Sequence, residues 1–550
     1  MLADVSQNPR QRTSADSLRD LEHAKSAQRN FERSRRALLP QGSSSGGRCD
    51  VRLGRYCWWY DAATPKFPAE NETIGRRREE LLAELDSAAA RQPGDDWLAA
   101  MRVHYRIDAK AFDAADSAAT SCRATSWWCS ALVGYAATAH FMGARADSAF
   151  TRARGAMPPD VACKWSDIRS LLSGDDRDAY EKQSCEARVA SERRYWLLSK
   201  PQLNTAANDW ENEFNVRRVI IWLGERAATP HLLGWGDDAA ELVLRYGWPV
   251  AWSQVQTSSV GATEPSIIGH DPSPSFAFAP NGWLADTTRS LGAGAWDFND
   301  ARSTARFAPR GIRRVTVASA QYARFRRGDS TLVVTAYVAS DDSLRNGVAM
   351  TSAAAIGVPP ATSPADTTRL GRAQLRFVGT PLVAGAEVVD TATGTLARSR
   401  VVFPPSADSG RIALSDVLIY RAGEEPAPSL DSALARAIPG DTATRNKPIG
   451  LFWETYGLFD AETVDVAVSV ERIDHSWIRS ARQRLGLTPV DTPIRIRWTD
   501  TRPRANGASP HAISLDLENL DSGRYRVTLS VTPLEGKPVT STREIELIDP

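Results

Sequence analysis

The spacing of apolar positions changes character along the chain, from helical in the front half to two-residue alternation in the back half. Residues 1 to about 40 read as a charged helix with weak apolar spacing, ended by the Gly/Ser run Gly42-Ser43-Ser44-Ser45-Gly46-Gly47. From about residue 73 the period is helical and repeats. Leu81, Leu85, Ala88 and Pro93 recur as Ala114, Ala118, Ser121 and Ser126, then as Ala146, Phe150, Ala153 and Pro158, at offsets of 33 and 32 residues. The intervening helices supply the large residues Trp97, Met101 and His104, then Trp128, Leu132 and Tyr135. Helical stretches continue over 166–198 and 208–226, the second of them amphipathic. From about 310 onward the pattern alternates, as in Thr331–Tyr337, Val464–Val470, Ile494–Trp498 and Tyr525–Val531. Strands of this kind, separated by Gly, Asp, Pro and Ser turns, predict antiparallel sheets with one buried face.

A period of 32–33 residues with small residues on the second helix is that of a tetratricopeptide-type unit, in which paired helices approach closely. The two strand sets are each about the size of a sandwich domain. In the last set, a turn glycine at 523 precedes Tyr525 at a strand start, the local pattern of a tyrosine corner. The expected fold is therefore multidomain α + β: N-terminal TPR-like helical repeats, a small central mixed α/β segment and two C-terminal antiparallel Ig-like β-sandwiches. The expected boundaries are a helical leader and linker (1–47), a disulfide-stapled helical domain (48–205), a central domain (206–310), a first sandwich (311–420), a linker (421–446) and a second sandwich (447–550).

The cysteines set the compartment. There are six, Cys49, Cys57, Cys122, Cys129, Cys163 and Cys185, all before residue 190. Fifteen pairings are possible for six cysteines; the neighbouring ones are 49–57, 122–129 and 163–185. On one continuous helix, residues seven apart have Cα atoms about 10.5 Å apart, beyond the roughly 7 Å a disulfide spans. The 122–129 pair thus requires a turn, and the repeat places one at Ala124-Thr125-Ser126. Buried free thiols are the competing reading. Zinc is not favoured, because no Cys-x2-Cys or mixed Cys/His cluster is present. Oxidised pairs imply export to the periplasm or cell surface, with a signal peptide absent from this sequence, since residues 7–36 carry charges throughout.

Net charge narrows the partners. Sixty-seven Lys and Arg against 66 Asp and Glu give +1, which offers no support for nucleic-acid binding. No apolar run reaches the roughly 18 residues of a spanning helix. Oligomeric state is not readable.

The central segment carries Gly234-Trp235-Gly236-Asp237-Asp238, an apolar stretch read as a short strand, and then Arg245-Tyr246-Gly247-Trp248-Pro249. This resembles the GWxTD domain of exported bacterial proteins of Gemmatimonadota type. Gly234, Trp235, Asp238, Arg245, Tyr246, Gly247 and Pro249 match; Asp237 replaces the usual Thr, and Ala239-Ala240 the usual Arg-Gly. The resemblance implies architecture and compartment, and no reaction.

The same region holds the candidates for chemistry. Asp238 with His270 and Asp271 would make a hydrolase or glycan-processing site if they converged in one cleft. Adjacent acids before a regular element more often cap backbone N–H groups. No phosphate loop, dinucleotide fingerprint or zinc-protease helix is present, so no cofactor and no metal are expected. Trp248 and Trp252, flanking the bend, are expected to be exposed; the tryptophans beside cysteines are expected to pack on disulfides. The favoured function is a non-enzymatic envelope scaffold that binds a protein or cell-wall glycan partner.

Overall fold

The computed structural model describes the chain except residues 1–13, 42–50, 59–68, 231–233, 256–265, 271–274, 301–302, 406–410, 475–492, 502–506 and 535. Two compact units are present. The first comprises Met1–Pro201, Thr205–Ala285 and Asp297–Arg310; the second comprises Gln202–Asn204, Asp286–Trp296 and Gly311–Pro550.

The first unit is mainly helical. It runs α1 (Ser14–Ala37), a small hairpin β1 (Val51–Leu53) and β2 (Tyr56–Trp58), then α2 (Glu72–Arg91) and α3 (Asp96–Asp108). There follow α4 (Phe112–Thr120), α5 (Ser126–Ala139), α6 (Gly143–Ala156), α7 (Pro159–Ser166), α8 (Gly174–Glu181) and α9 (Cys185–Ser199). The unit ends with α10 (Asp209–Gly224), α11 (Asp237–Tyr246) and the hairpin β3 (Ala251–Val255) and β4 (Ser266–His270). Side-chain caps start several helices: Asn71 accepts from Thr73 N, Asp95 from Leu98 N and Asn208 from Glu211 N. Consecutive helices from α1 to α6 pack on one another, and α10 packs on α3, α5 and α6. The repeat positions Leu81, Leu85, Ala88, Ala118, Ala146, Phe150 and Ala153 are buried, as are Trp97, Met101, Trp128, Leu132 and Tyr135. Ala114 is exposed and its neighbour Ala115 is buried, so the middle repeat sits one residue out of step.

Two disulfides join Cys122 to Cys129 and Cys163 to Cys185, with Cα atoms 5.5 and 5.9 Å apart. The chain turns between Cys122 and Cys129, because α4 ends at Thr120 and α5 begins at Ser126. Asp96 holds that turn by accepting from the Thr125 N–H and hydroxyl at 2.9 Å each. The 49–57 pairing lies outside the described residues. Among the described residues no helix is long and apolar enough to cross a membrane.

Two sequence expectations change here. The leader helix α1 is an integral layer: Ala24, Phe31 and Leu39 are buried, and so are the polar Gln28, Glu32 and Arg35. The stretch 208–226, read as amphipathic, is α10, which buries Asn212, Asn215 and Arg217 as well as its apolar residues. Its polar groups are bonded internally; Asn215 Oδ1, for example, accepts from the Trp165 indole at 2.7 Å.

The second unit is built of sheets. Its first part has β5 (Arg314–Val317), β6 (Ser319–Arg327), β7 (Ser330–Val338), β8 (Val348–Ala355), β9 (Val358–Thr362), β10 (Leu370–Val378), β11 (Val383–Asp390) and β12 (Thr395–Val402). They form a three-stranded sheet, β10-β7-β6, and a five-stranded one, β5-β12-β11-β8-β9. A shared core includes Tyr322, Val333, Phe377, Val388 and Phe403. The rest comprises β13 (Ala413–Leu414), β14 (Leu418–Arg421), the short α12 (Leu430–Ala435), β15 (Thr442–Thr444), β16 (Ile449–Tyr456) and β17 (Thr463–Arg472). The last strands are β18 (Ile494–Thr501), β19 (Ser509–Leu515), β20 (Gly523–Pro533) and β21 (Val539–Ile548). Their sheets are β13-β16-β14 with β19 on β16, and β15-β21-β20-β17-β18. Trp453, Val466, Val468, Leu517, Val527 and Leu529 lie in the core of this part. Tyr525 is buried there, and its hydroxyl donates to Asp521 O at 2.9 Å.

Residues 421–446, expected to be a linker, are packed structure instead. Ser429 caps α12, and Leu430, Ala433, Leu434 and Ala437 join a core with Phe325, Val334 and Phe452. The Pro, Ala and Glu content of the segment concealed this apolar helix face.

One short strap completes the second unit. Leu203 N donates to both carboxylate oxygens of Glu387 at 2.8 and 2.9 Å, and Arg400 pairs with the same carboxylate at 2.7 Å. Glu387 and Arg400 are both fully buried.

Candidate functional site

Gly234, Trp235 and Asp238 lead into α11, which is a correction: the apolar stretch 241–246 forms a helix where a strand was expected. Ala239, Val243, Leu244 and Tyr246 are buried on one face at helical spacing, while Asp237 and Asp238 occupy the favourable N-terminal turn. Gly247 ends the helix at φ +93°, and its N–H donates to Val243 O at 2.8 Å. A residue with a side chain is strained in that conformation.

Asp238 is fully engaged. Arg55, in the β1–β2 turn, grips it with Nε to Oδ2 and Nη2 to Oδ1, both at 2.7 Å. The Arg55 backbone N–H adds a bond to Oδ2 at 3.1 Å, and Ala239 N donates to Oδ1 at 3.0 Å. This bidentate pairing holds the carboxyl well below the usual carboxylate range and raises the Arg55 guanidinium. Arg55 Nη2 also donates to Gly234 O at 3.0 Å, so one arginine clamps both ends of the Gly-Trp-Gly-Asp-Asp turn.

Arg245 donates from Nε to Thr304 O at 2.6 Å and from Nη1 to Glu241 at 3.1 Å. Tyr246 is buried, with its hydroxyl 3.0 Å from Arg245 Nη2. Trp235 lies against Gly224 of α10, where any Cβ would run into the indole. Its ring centroid is 6.3 Å from that of Trp248, which is 5.3 Å from Trp252. Trp252 is buried, contrary to the expectation that it would be exposed, and Trp248 is half-buried. Pro249 packs on Gly269 at a spacing that leaves no room for a side chain.

His270 sits at the end of β4, and its Nε2 is 2.7 Å from Ser253 Oγ on β3. Ser253 is only 3% exposed, so this serine does not present a nucleophile to solvent. Asp271 lies outside the described residues. Among the described residues, Asp238 is held by Arg55 and His270 lies against Ser253. Among the described residues no cluster of His, Cys, Asp and Glu has metal-binding geometry.

Trp248 also lines a small cavity of about 20 Å³, with Gln28, Glu32, Tyr105, Ile220 and Gly224. This is room for one water. Arg55, Ser253, Gln28 and Glu32 are not among the residues expected from the sequence. No local pattern marks Arg55, whose partner is 183 residues away, or Ser253. One does mark Gln28, Glu32 and Arg35, because they are spaced four and three apart and so share one helix face.

No protein-family model matches this chain, and no curated protein matches it. Among solved structures, it aligns with Bacteroides uniformis β-glucuronidase 2 at 9% identity and a TM-score of 0.15, over 39% of this chain and 26% of that one. It aligns with red sea bream transglutaminase at 9% identity and a TM-score of 0.14, over 58% and 43%. A structure of the receptor tyrosine kinase Torso aligns at 6% identity and a TM-score of 0.11, over 42% and 74%. The chain thus spans about a quarter of the glucuronidase, and at these scores none of the alignments carries an argument.

Proposed function

We propose that this protein is an exported, non-enzymatic scaffold of the cell envelope that binds a protein or cell-wall glycan partner. In this reading the front helices are TPR-like repeats, the sheets are Ig-like sandwiches acting as spacers, and residues 234–249 belong to a GWxTD-type segment that joins helices together. The observation that carries it is the engagement of Asp238 by Arg55. The most promising acid of the motif is already spent on a structural ion pair, as Arg245 is on a backbone carbonyl. The two disulfides support export.

The test is recovery of cross-linked partners by the full-length chain from an envelope fraction, alongside retention on purified cell-wall material. A stoichiometric partner or specific retention supports the proposal, and failure of both overturns it. The alternative, a hydrolase or glycan-processing enzyme, has the Ser253–His270 contact in its favour. Hydrolysis of ester or glycoside substrates that is lost in a folded His270→Ala variant would establish it, and no hydrolysis by the native protein would remove it.

A further inference from the structure

The inward face of α1 is polar, and its hydrogen bonds run in a fixed direction. Gln28 is held by the backbone of Ala228: its Nε2 donates to Ala228 O at 2.8 Å, and its Oε1 accepts from Ala228 N at 3.1 Å. That settles which end of the amide is which. The remaining Nε2 hydrogen goes to Tyr105 Oη at 2.7 Å, so the tyrosine proton passes on to Glu32 Oε1, also at 2.7 Å. Glu32 Oε2 is buried without a hydrogen-bond partner among the described residues, and Glu32 lines the small cavity beside Trp248.

The charges around Glu32 balance without it. On α1, Arg35 Nη1 is 3.8 Å away, but Arg35 Nη2 pairs with Asp108 of α3 at 3.0 Å. On α2, Arg78 pairs with Asp108 at 2.6 Å and with the partly exposed Glu70 at 2.6 Å. Two guanidinium groups thus face two carboxylates, and an ionised Glu32 is a surplus negative charge. Arg36, half-exposed on α1, adds only a screened attraction. His104 of α3 adds none, because burial holds it neutral, down to about 4, and its Nδ1 is 3.1 Å from Tyr135 Oη. α10, the 227–230 segment and Trp248 line the cavity with uncharged residues.

We propose that α1 is a proton-operated latch, seated on α3 and the 227–230 segment while Glu32 is a neutral acid and loosened when Glu32 ionises. The neutral acid places its proton on Oε2, toward the cavity, and still accepts from Tyr105 through Oε1. Ionisation leaves a buried oxygen with an uncompensated charge. Burial, against the pull of Arg35 and the Tyr105 hydrogen bond, pushes the Glu32 carboxyl up from 4.5 to about 7. The sign follows from linkage. A seated α1 binds the proton more tightly than a released one, so its advantage is complete below about 4.5 and is lost as pH rises through about 7. Release would uncover the faces of α3 and α10 that line the cavity.

The experiment is hydrogen–deuterium exchange of the full-length chain from pH 5.5 to 8.5, corrected for intrinsic exchange, with α10 amides as the internal control. Protection of α1 is expected to fall by a factor of about thirty across the range, while α10 stays protected. Glu32→Gln, which keeps the shape and cannot ionise, should make the α1 profile flat. Tyr105→Phe removes a hydrogen bond that favours the ionised form, so the midpoint should move upward. A flat wild-type profile overturns the latch, as does a Glu32→Gln profile with the wild-type slope. If Glu32→Gln fails to protect α10, Tyr105→Phe decides, and an unmoved or lowered midpoint overturns it.

Discussion

Removing the Arg55 side chain leaves the Asp238 carboxylate with two backbone N–H donors and no guanidinium. The hairpin of β1 and β2 is then expected to lose its grip on the start of α11, seen as faster amide exchange over residues 51–58 in Arg55→Ala and Asp238→Asn alike. The sign is that of a depressed acid: the contribution is present above the ordinary carboxylate range and is lost only as pH falls through the lowered folded value. The hairpin should therefore stay protected in mild acid, where the Glu32-dependent protection of α1 is strongest. Gly224→Ala tests a different contact, because the new methyl would run into the Trp235 ring. Overpacking of this kind costs about 1–3 kcal/mol, read as a lowered denaturant midpoint; an unchanged midpoint would mean that Trp235 can move aside. At this scale the sequence was only partly legible. Trp235, Tyr246 and Gly247 stood out because their neighbours formed a motif, whereas Arg55 lies 183 residues from Asp238 and shares no local pattern with it.

Helix pairing in the first unit was readable because Leu81, Leu85 and Ala88 recur at a fixed offset, and burial follows that spacing to within one residue. α11 was misread because Leu242, Val243 and Leu244 are a short apolar run, which fits a buried strand and a helix face equally well. Length and the acidic first turn settle it for the helix. The two disulfides also belong to this scale. Loop-closure entropy gives about 2 kcal/mol for the 122–129 ring and about 3 kcal/mol for the longer 163–185 ring. Alanine at both cysteines of each pair should therefore lower stability in that order, measured by urea titration. A loss close to zero for the 122–129 pair would show that the Asp96 bonds to Thr125 already hold the shorter turn.

Across the whole molecule, the change from helical to alternating pattern near residue 310 marks where the sheets begin, and the broad architecture was legible there. The composition of the two units was not. Residues 202–204 and 286–296 count with the second unit, and nothing in their local sequence announces it. Both described disulfides lie in the first unit. Reductant should lower the calorimetric transition of that unit and leave the transition of the sheet-rich unit in place. A common shift of both would mean that they melt together.

The strap at Leu203 bears on how such a gene can be rearranged. A cut at residue 310 looks natural from the strand pattern, yet a fragment that starts there lacks the N–H that Glu387 accepts in the interior. It would retain a buried acid facing Arg400 with one anchor gone. The β-rich half is thus not a portable cassette, because part of its interior is written more than a hundred codons upstream of its first strand.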